Sequence, residues 1–317
     1  MNTTEKVIRE QFPFWEKARG ANSATARQDV LVYVGCGTSY YLAMSLAAYA
    51  NRAGRRAIAV PGAEWLNRPS YFWSDWKNTH VVAISRSGET TETVAAAKNS
   101  RENGAFVTAL TVEADSTLAK NSDSVVTSPT HAEEGIVMTA SASLMLLLGL
   151  QMVGSEIPAS IVASAQTLAE KLDEVLDYEV LDRGHFVFLG GGPLFGIASE
   201  GALKLLEMSQ VMTQPFHPLE YRHGPISLVD AKTAAVMLYS TDQKDAEMKL
   251  VEELREKGAF VIGIGGPGDI ELAVDFDLSL AGLALLPALQ ILGERVARSR
   301  GIDTVQPRHL TKVVKLA

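Results

Sequence analysis

The stretch "VYVGCGTSYYLAMSLAAY", residues 32–49, decides the fold prediction because it runs from an apolar strand through a glycine turn into a helix. The later stretch "VFLGGGPLFGIASEGALKL", residues 187–205, repeats that order. Short apolar runs, typical of strands covered on both faces by helices, alternate with helical stretches around both. Strand, crossover helix and parallel strand form the unit of a doubly wound sheet. The sequence therefore predicts an α/β protein of two tandem halves, each a doubly wound parallel sheet flanked by helices.

The predicted elements divide between the two halves. In the first half, strands are predicted at "VLVYVG" (30–35), "AIAV" (57–60), "HVVAIS" (80–85), "AFVTALTV" (105–112) and, more weakly, "SVVTS" (124–128). In the second, they are predicted at "HFVFLGGG" (185–192), "TAAVMLYS" (233–240), "AFVIGIGG" (259–266) and, more weakly, near "FDLSL" (276–280). Helices are predicted near residues 3–17 and over roughly 139–178. The predicted domains are residues 1–155, with the N-terminal helix and first sheet, residues 156–300, with the second sheet, and a C-terminal tail, 301–317.

Composition narrows the class of protein. The net charge is −8 with no long run of like charges, so no nucleic-acid or anionic-membrane partner is predicted. The single cysteine, Cys36, excludes a disulfide within the chain, and we expect a cytoplasmic protein. The N-terminal segment is charged and amphipathic rather than a signal peptide, and the apolar run "SLMLLLGLQMVG" is too short to span a bilayer comfortably.

Two polar loops follow predicted strands. The first is the turn of Gly37, Thr38 and Ser39, at the start of a helix, where amides, hydroxyls and the helix dipole favour an anion. The same residue types also serve as ordinary helix caps, so this turn alone is weak evidence. The second loop, "SRSGET", contains three hydroxyl residues and one arginine, namely Ser85, Arg86, Ser87 and Thr90. Because ligands bind at the carboxyl ends of strands in open α/β sheets, both loops are predicted to hold one anion. Neither a P-loop nor a complete dinucleotide fingerprint is present, so nucleotide binding is not predicted.

A third feature is the apolar stretch 198–212, which is predicted to be a buried helix. Its charges, Glu200, Lys204 and Glu207, are spaced by four and three residues and so fall on one face. They are either an exposed set of ion pairs or groups facing a cavity. In a cavity, coupled carboxylates can be tuned for proton transfer near neutral pH.

These motifs together resemble a known family. "GCGTSYY", "ISRSGETTET", "EGALKLLE", "EYRHGP" and "QPRHLTK" occur in the order found in double-SIS (sugar isomerase) proteins, namely the isomerase half of glucosamine-6-phosphate synthase and its stand-alone relatives. The resemblance implies two flavodoxin-like SIS subdomains and a sugar 6-phosphate substrate. It assigns the phosphate to the two loops, with Ser39, Ser85, Ser87 and Thr90 as ligands and Arg86 nearby.

The resemblance also implies catalytic roles. Glu207 aligns with the base for C1–C2 proton transfer, and Lys204 and Glu200 align with its polar partners. His223 aligns with the histidine that opens the sugar ring from the neighbouring subunit, which implies a homodimer. Lys312 aligns with a tail lysine that can form a Schiff base with the open ketose.

Further residues are assigned more loosely. Glu134, Val137 and Thr139 align with a loop that lines the sugar, although this segment also reads as a helix cap. The remaining histidines show no ligand spacing, so no metal site is predicted, and no cofactor is implied.

Departures from the family pattern shape the functional hypotheses. No glutaminase domain precedes the first sheet, so no glutamine-dependent synthesis by this chain is expected. Arg86 replaces the synthase's glutamine and Ser141 replaces its lysine, traits shared with stand-alone sugar isomerases and amino-sugar-phosphate deaminase/isomerases. The first hypothesis is an isomerase of a hexose or hexosamine 6-phosphate, with or without release of ammonia. The alternatives are a ketosamine-6-phosphate deglycase and a non-catalytic sugar-phosphate sensor, although no helix-turn-helix typical of such sensors is found.

Overall fold

The computed structural model describes residues 1–20, 30–274 and 280–314. They form two compact units. What we call the N-terminal unit contains residues 10–158 and the tail from residue 309, and the C-terminal unit contains residues 1–9 and 159–308. Each unit has its own five-stranded sheet. In the described part of the chain, no helix combines the length and the hydropathy needed to cross a membrane.

The sheet of the N-terminal unit is entirely parallel. Its strands are β1 (Val30–Gly35), β2 (Ala57–Pro61), β3 (Thr79–Ile84), β4 (Phe106–Thr111) and β5 (Ser124–Thr127). They are arranged in the order β2-β1-β3-β4-β5, so that Val32 of β1 pairs with Ile58 on one side and Val81 on the other. Because β3 is buried along its whole length, its sequence is a continuous apolar run rather than an alternating one.

Helices pack around this sheet. The chain begins with α1 (Thr3–Arg9), which belongs to the C-terminal unit. The helices of the N-terminal unit are α2 (Phe12–Arg19), α3 (Thr38–Arg52), α4 (Gly62–Asn67), α5 (Thr91–Glu102), α6 (Thr117–Lys120) and α7 (Ala140–Met152). Every residue of α7 except Gln151 is buried, as expected of a helix that is apolar all round.

The sheet of the C-terminal unit repeats the topology. Its strands are β6 (His185–Gly190), β7 (Met212–Phe216), β8 (Thr233–Leu238), β9 (Phe260–Ile264) and β10 (Ile270–Leu272), all parallel. Its helices are α8 (Ala159–Val175), α9 (Tyr178–Leu181), α10 (Pro193–Ser209), α11 (Lys244–Glu256) and α12 (Ala281–Ser299). The order β10-β9-β8-β6-β7 again places the first strand of the unit between its second and third. Both sheets thus have the flavodoxin-like 2-1-3-4-5 order, and the predicted fold class is confirmed.

An ion network holds α1 in the C-terminal unit. Arg295 of α12 bonds to Asp173 at 2.5 Å and to Glu5 at 2.6 Å, and Arg9 bonds to Asp173 at 2.5 Å. Burial alone would raise the pKa values of Glu5 and Asp173, but the hydrogen bonds to these arginines outweigh it and lower both pKa values. These contacts group the first nine residues with the second sheet, whereas the predicted boundary at residue 155 counted them with the first.

Several predicted elements have different ends in the structure. The helix predicted near residues 3–17 is α1 and α2, and the region predicted at 139–178 contains α7 and α8 with a break around Gly154, whose φ is +90°. The helix predicted over 198–212 ends at Ser209, because Gln210 is left-handed at φ 56° and Met212 begins the unpredicted strand β7. The strand predicted near "FDLSL" falls almost entirely on residues 275–279, outside the described residues.

Candidate active site

The first polar loop joins β1 to α3. Gly37 is the N-cap of α3, with φ 55° and ψ −127°, a conformation that strongly favours glycine. A Cβ on Gly35 would lie 2.6 Å from the carbonyl carbon of Ser39, so the strand end and the helix start approach more closely than any side chain allows. Thr38 and Ser39 are both 4% exposed at the first turn of α3. The local sequence therefore builds a tight turn with two hydroxyls at a helix N-terminus.

The second polar loop, from Ser85 to Thr90, joins β3 to α5. The hydroxyl of Ser85 accepts a hydrogen bond from the Gly88 amide at 3.1 Å and lies 3.3 Å from the hydroxyl of Thr90. The hydroxyl of Ser87 accepts one from the Glu89 amide at 3.1 Å. Gly88 has φ +62°, and a Cβ there would lie 2.1 Å from Ser116 Oγ. The loop is thus held in one shape by its own hydroxyls and by close packing.

The two loops begin side by side. β1 and β3 are adjacent parallel strands, with Val34 paired to Ala83, so both loops leave the same edge of the sheet. The chain moves from β1 outward to β2 and then back to β3, which makes this edge the topological switch point of the sheet. We call the two loops together the anion cradle: Gly37, Thr38, Ser39, Ser85, Ser87 and Thr90.

Cys36 lies inside the first turn and is half-buried. Its sulfur is 3.6 Å from the hydroxyl of Thr93. Burial raises the pKa of the Cys36 thiol above its usual range, and the Thr93 contact offsets only part of this. A neutral thiol at this position adds no charge to the cradle and has little nucleophilic character.

The guanidinium of Arg86 contacts backbone carbonyls of two other segments of the N-terminal unit. Its guanidinium donates to the backbone carbonyls of Gly135 at 3.0 Å, Ile136 at 2.9 Å and Lys312 at 3.0 Å. It also lies 3.7 Å from Glu134 Oε2, and its side chain is 8% exposed. The prediction that Arg86 contacts phosphate stays a prediction.

The loop predicted to line a sugar caps α7. Glu134 Oε1 accepts hydrogen bonds from the backbone amides of Thr139 at 2.7 Å and Ser141 at 2.9 Å. Val137 and Thr139 are buried at 4% and 1% exposure. Lys312 of the tail donates from Nζ to the carbonyl oxygen of Glu134 at 2.8 Å. The carboxylate of Glu134 therefore caps the N-terminus of α7, which is the alternative that the sequence raised for this segment.

The charged stripe of α10 is a closely spaced set. Lys204 is 1% exposed and Glu200 is fully buried. Lys204 Nζ lies 3.6 Å from Glu200 Oε1 and donates a hydrogen bond to Glu207 Oε2. The Glu207 side chain is 20% exposed, so one carboxylate of the set can reach solvent or a ligand. An ammonium between two carboxylates is an arrangement that can hold and transfer a proton.

His223 follows a 3-10 helix, Leu219–Arg222, and is exposed. Arg222 makes two hydrogen bonds, at 2.9 and 3.0 Å, to Glu253 of α11. Tyr221 is fully buried and packs on Phe216, and burial raises the pKa of Tyr221 to about 12. The turn is thus fixed on both sides, while the imidazole itself faces outward.

Comparison with known proteins identifies the family. The family model described as "SIS domain" matches residues 26–153 and 179–281, one match in each half of the chain. The chain belongs to the SIS domain family. Both the predicted family and the predicted doubly wound fold are confirmed.

Relatives of the SIS chain are named as sugar-phosphate enzymes. Glutamine--fructose-6-phosphate aminotransferase [isomerizing] of Shewanella oneidensis is 30% identical over 94% of the chain and 54% of the relative. The Corynebacterium glutamicum protein of the same name is 31% identical over 90% of the chain and 51% of the relative. The chain therefore spans about half the length of the curated relatives it matches.

Solved structures with the same fold also carry the names of sugar-phosphate enzymes. A glucosamine-6-phosphate deaminase from Thermotoga maritima is 31% identical, with a TM-score of 0.87, over 99% of this chain and all of that one. Tagatose-6-phosphate ketose/aldose isomerase from Escherichia coli shares the fold at a TM-score of 0.82 and 23% identity, over 100% and 97% of the two chains. The predicted class of enzyme, a phosphosugar isomerase or deaminase type, agrees with these relatives.

The second SIS half retains the backbone geometry of the glycine turn but not its surroundings. Gly192 caps α10 with φ 54° and ψ −127°, values within 1° of those of Gly37. In the second half, however, the carboxylate of Glu247 accepts hydrogen bonds from the Ser240 amide at 2.8 Å and the Ser240 hydroxyl at 2.9 Å. A Cβ on Gly191 would lie 3.9 Å from Glu247 Oε1, so this carboxylate adjoins the turn. Burial raises the pKa of Glu247.

Sequence reasoning missed Glu247. It lies seven residues after Ser240 on an amphipathic helix, where a glutamate normally faces solvent, and it is instead 1% exposed. The one available signal is that "LYSTDQKDAE" occupies the place where the first half has "SRSGET". An internal carboxylate at this loop disfavours a bound anion there by like-charge repulsion.

Proposed function

We propose that this SIS chain is an enzyme that interconverts the aldose and ketose forms of a hexose or hexosamine 6-phosphate by proton transfer between C1 and C2. The observation that carries the proposal is the anion cradle, because two hydroxyl-rich loops leave adjacent strands at the switch point of the first sheet. Two helix N-termini and several hydroxyls at one edge suit a phosphate better than an uncharged group. Relatives named for fructose 6-phosphate and for glucosamine 6-phosphate support the same substrate class.

In the proposed assignment the cradle holds phosphate and α10 moves the proton. Ser39, Ser85, Ser87 and Thr90 donate hydrogen bonds to phosphate oxygens, with the Gly37–Thr38 turn below them. Glu207 is the base for the C1–C2 transfer, and this role is supported by its partial exposure beside an otherwise buried Lys204 and Glu200.

Glu200 and Lys204 are proposed to orient Glu207 and to bind the oxygens on C1 and C2. When a proton leaves carbon, negative charge develops on the neighbouring oxygen, and an ammonium held in a buried environment stabilises it. Lys312 is proposed to act on the open-chain ketose, and Glu134, Val137 and Thr139 to shape the site from the loop before α7.

Two further parts of the proposal concern assembly and location. We propose a homodimer in which His223 serves the partner's active site as the ring-opening group. Support comes from the exposed His223 and from large apolar side chains that are exposed in the same stretch of chain, Leu206, Met212, Leu219 and Leu228. We further propose a cytoplasmic enzyme, in line with the single, half-buried cysteine.

A substrate panel tests the proposal. The chain would be incubated with hexose and hexosamine 6-phosphates, and with the same sugars lacking phosphate, while isomerisation and ammonia release are both followed. We expect turnover of at least one phosphorylated sugar and at least a hundredfold lower kcat/KM for its unphosphorylated counterpart. Ammonia release from a hexosamine 6-phosphate would place the chain with the deaminases. Phosphosugar binding with no turnover of any member would instead favour a sensor.

A further inference from the structure

Arg86 makes an unusual set of contacts for a residue inside a phosphate loop. Its Nη1 donates to the carbonyl of Gly135 at 3.0 Å, and its Nη2 donates to the carbonyls of Ile136 at 2.9 Å and Lys312 at 3.0 Å. Gly135 and Ile136 belong to the loop before α7, and Lys312 belongs to the tail, more than 170 residues later. One guanidinium therefore ties two separate segments of the N-terminal unit together.

Arg86, the loop before α7 and Lys312 are linked pairwise, each to the other two. Lys312 Nζ donates to the carbonyl of Glu134 at 2.8 Å, so the tail bonds to the loop through its side chain and to Arg86 through its backbone. The carboxylate of Glu134 fixes the loop to α7 by accepting the Thr139 and Ser141 amides. The tail is thus held twice at Lys312, through the Nζ bond to the loop and through the Arg86 bond to the Lys312 carbonyl.

The backbone of Arg86 is itself fixed. Its carbonyl accepts a hydrogen bond from the hydroxyl of Thr111 at 3.0 Å at the end of β4. The hydroxyl of the preceding residue, Ser85, accepts a hydrogen bond from the Gly88 amide. The guanidinium accordingly extends from a rigid base, which is what a residue that positions other segments requires.

We propose that Arg86 is a positioning residue that locks the tail, and with it Lys312, onto the loop of residues 134–136, rather than a ligand of the phosphate. Three carbonyls in different directions match the planar, multi-donor fork of arginine, which a single ammonium cannot reproduce. The meaning of this lock for turnover rests on the proposed function, in which Lys312 acts on substrate. The lock itself is a property of the folded chain.

Limited proteolysis measures the lock directly. Endoproteinase Lys-C cleaves after Lys312 at the carbonyl that Arg86 holds, and cleavage in a folded protein tracks the population of the opened form. Cleavage after Lys312 would be followed by mass spectrometry in the wild type, Arg86→Ala, Arg86→Lys and Ser87→Ala. In parallel, the Kd for inorganic phosphate would be measured for each protein.

The proposal predicts opposite effects in neighbouring residues. Arg86→Ala and Arg86→Lys should be cleaved after Lys312 at least about tenfold faster than the wild type, with the Kd for phosphate within about threefold of it. Ser87→Ala should raise the Kd by about tenfold while its cleavage rate stays at the wild-type value. Arg86→Lys keeps the charge and the approximate volume, so it supplies the measurement if Arg86→Ala fails to fold.

Two results overturn the proposal. One is an unchanged cleavage rate in both Arg86 variants. The other is a rise in the Kd for phosphate in Arg86→Lys as large as that in Ser87→Ala, which would make Arg86 a phosphate ligand. Neither readout needs turnover. A wild-type chain that binds no phosphate would therefore count against the anion cradle and the proposed function, while the cleavage rates would still decide the role of Arg86.

Discussion

Replacing Lys204 by methionine tests the energetics of the charged stripe on α10. Methionine keeps the length of the side chain and fills nearly the same space, so the change chiefly removes the ammonium. That ammonium lies 3.6 Å from Glu200 Oε1, and both side chains are almost fully buried, at 1% and 0% exposure. At this separation and an effective dielectric constant of about 20, the attraction is about 4 to 5 kcal/mol. Lys204→Met withdraws this attraction from a carboxylate that stays buried.

Breaking a buried ion pair by removing one partner typically destabilises a protein by about 3 to 5 kcal/mol. We expect a loss of that size in the free energy of unfolding of the C-terminal unit. The matched control is Lys98→Met, because Lys98 and Glu102 form a pair with the same i,i+4 spacing at 3.9 Å, but with side chains 61% and 62% exposed. That exposed pair should contribute at most about 0.5 kcal/mol.

The assay is hydrogen exchange in increasing urea, followed in peptides from α10 and α12 for Lys204→Met and in peptides from α5 for Lys98→Met, so that each variant is read in the unit that holds its pair. The double variant Glu200→Gln with Lys204→Met completes a cycle. Because it removes the buried charge together with its partner, it should be more stable than Lys204→Met by at least about 1 kcal/mol. A Lys204→Met loss within about 1 kcal/mol of that of Lys98→Met, or a double variant as unstable as the sum of its single changes, would refute the reasoning.

Two further predictions concern the cradle and the α1 network. Gly88→Ala, at φ +62° with Ser116 Oγ 2.1 Å from the new Cβ, should destabilise the N-terminal unit by about 2 to 4 kcal/mol in urea unfolding. Gly104→Ala, at φ +97° with Lys77 Cγ 3.8 Å from the new Cβ, meets no clash and should lose only about 1 kcal/mol, and equal losses would contradict the packing argument. Arg295→Met should destabilise by about 3 kcal/mol at pH 7. Because the pKa of Asp173 is lowered in the folded protein, its contribution to stability is present above about pH 4 and is lost as the pH falls through its folded pKa. The Tm values of the variant and the wild type should therefore converge in acid. A Tm difference that stays constant with pH would disprove the role given to this ion pair.

How far the sequence predicts the fold depends on the burial of each strand. β3 is buried on both faces and reads as a plain apolar run, so it was predicted. β7, "MTQPF", was not, because it lies at the edge of its sheet, is at most half-buried and contains a proline, which edge strands tolerate. The placement of α1 was equally hidden, since it depends on ion pairs between residues more than 160 positions apart in the chain.

The candidate site likewise has a part that the sequence predicts and a part that it does not. The hydroxyls of Ser85, Ser87 and Thr90 lie within six residues behind a strand, so their grouping follows from the sequence alone. The partners of Arg86 do not, because two of them lie about 50 residues away and the third 226 residues away. A sequence pattern indicates which residue types form a site. The direction of a long side chain such as that of Arg86 depends on carbonyl groups that come near it only when the chain folds.

The most direct test of the proposed reaction is the exchange of the substrate's C1 and C2 protons with solvent. Turnover of the hexose or hexosamine 6-phosphate found active in the panel would be run in D2O and followed by NMR, for the wild type and for Glu207→Gln. We predict deuterium at C1 or C2 with the wild type, and exchange slower by about a hundredfold or more with Glu207→Gln while inorganic phosphate still binds with unchanged Kd. Exchange at the wild-type rate in Glu207→Gln, or turnover by the wild type with no deuterium at either carbon, would contradict C1–C2 proton transfer by this residue.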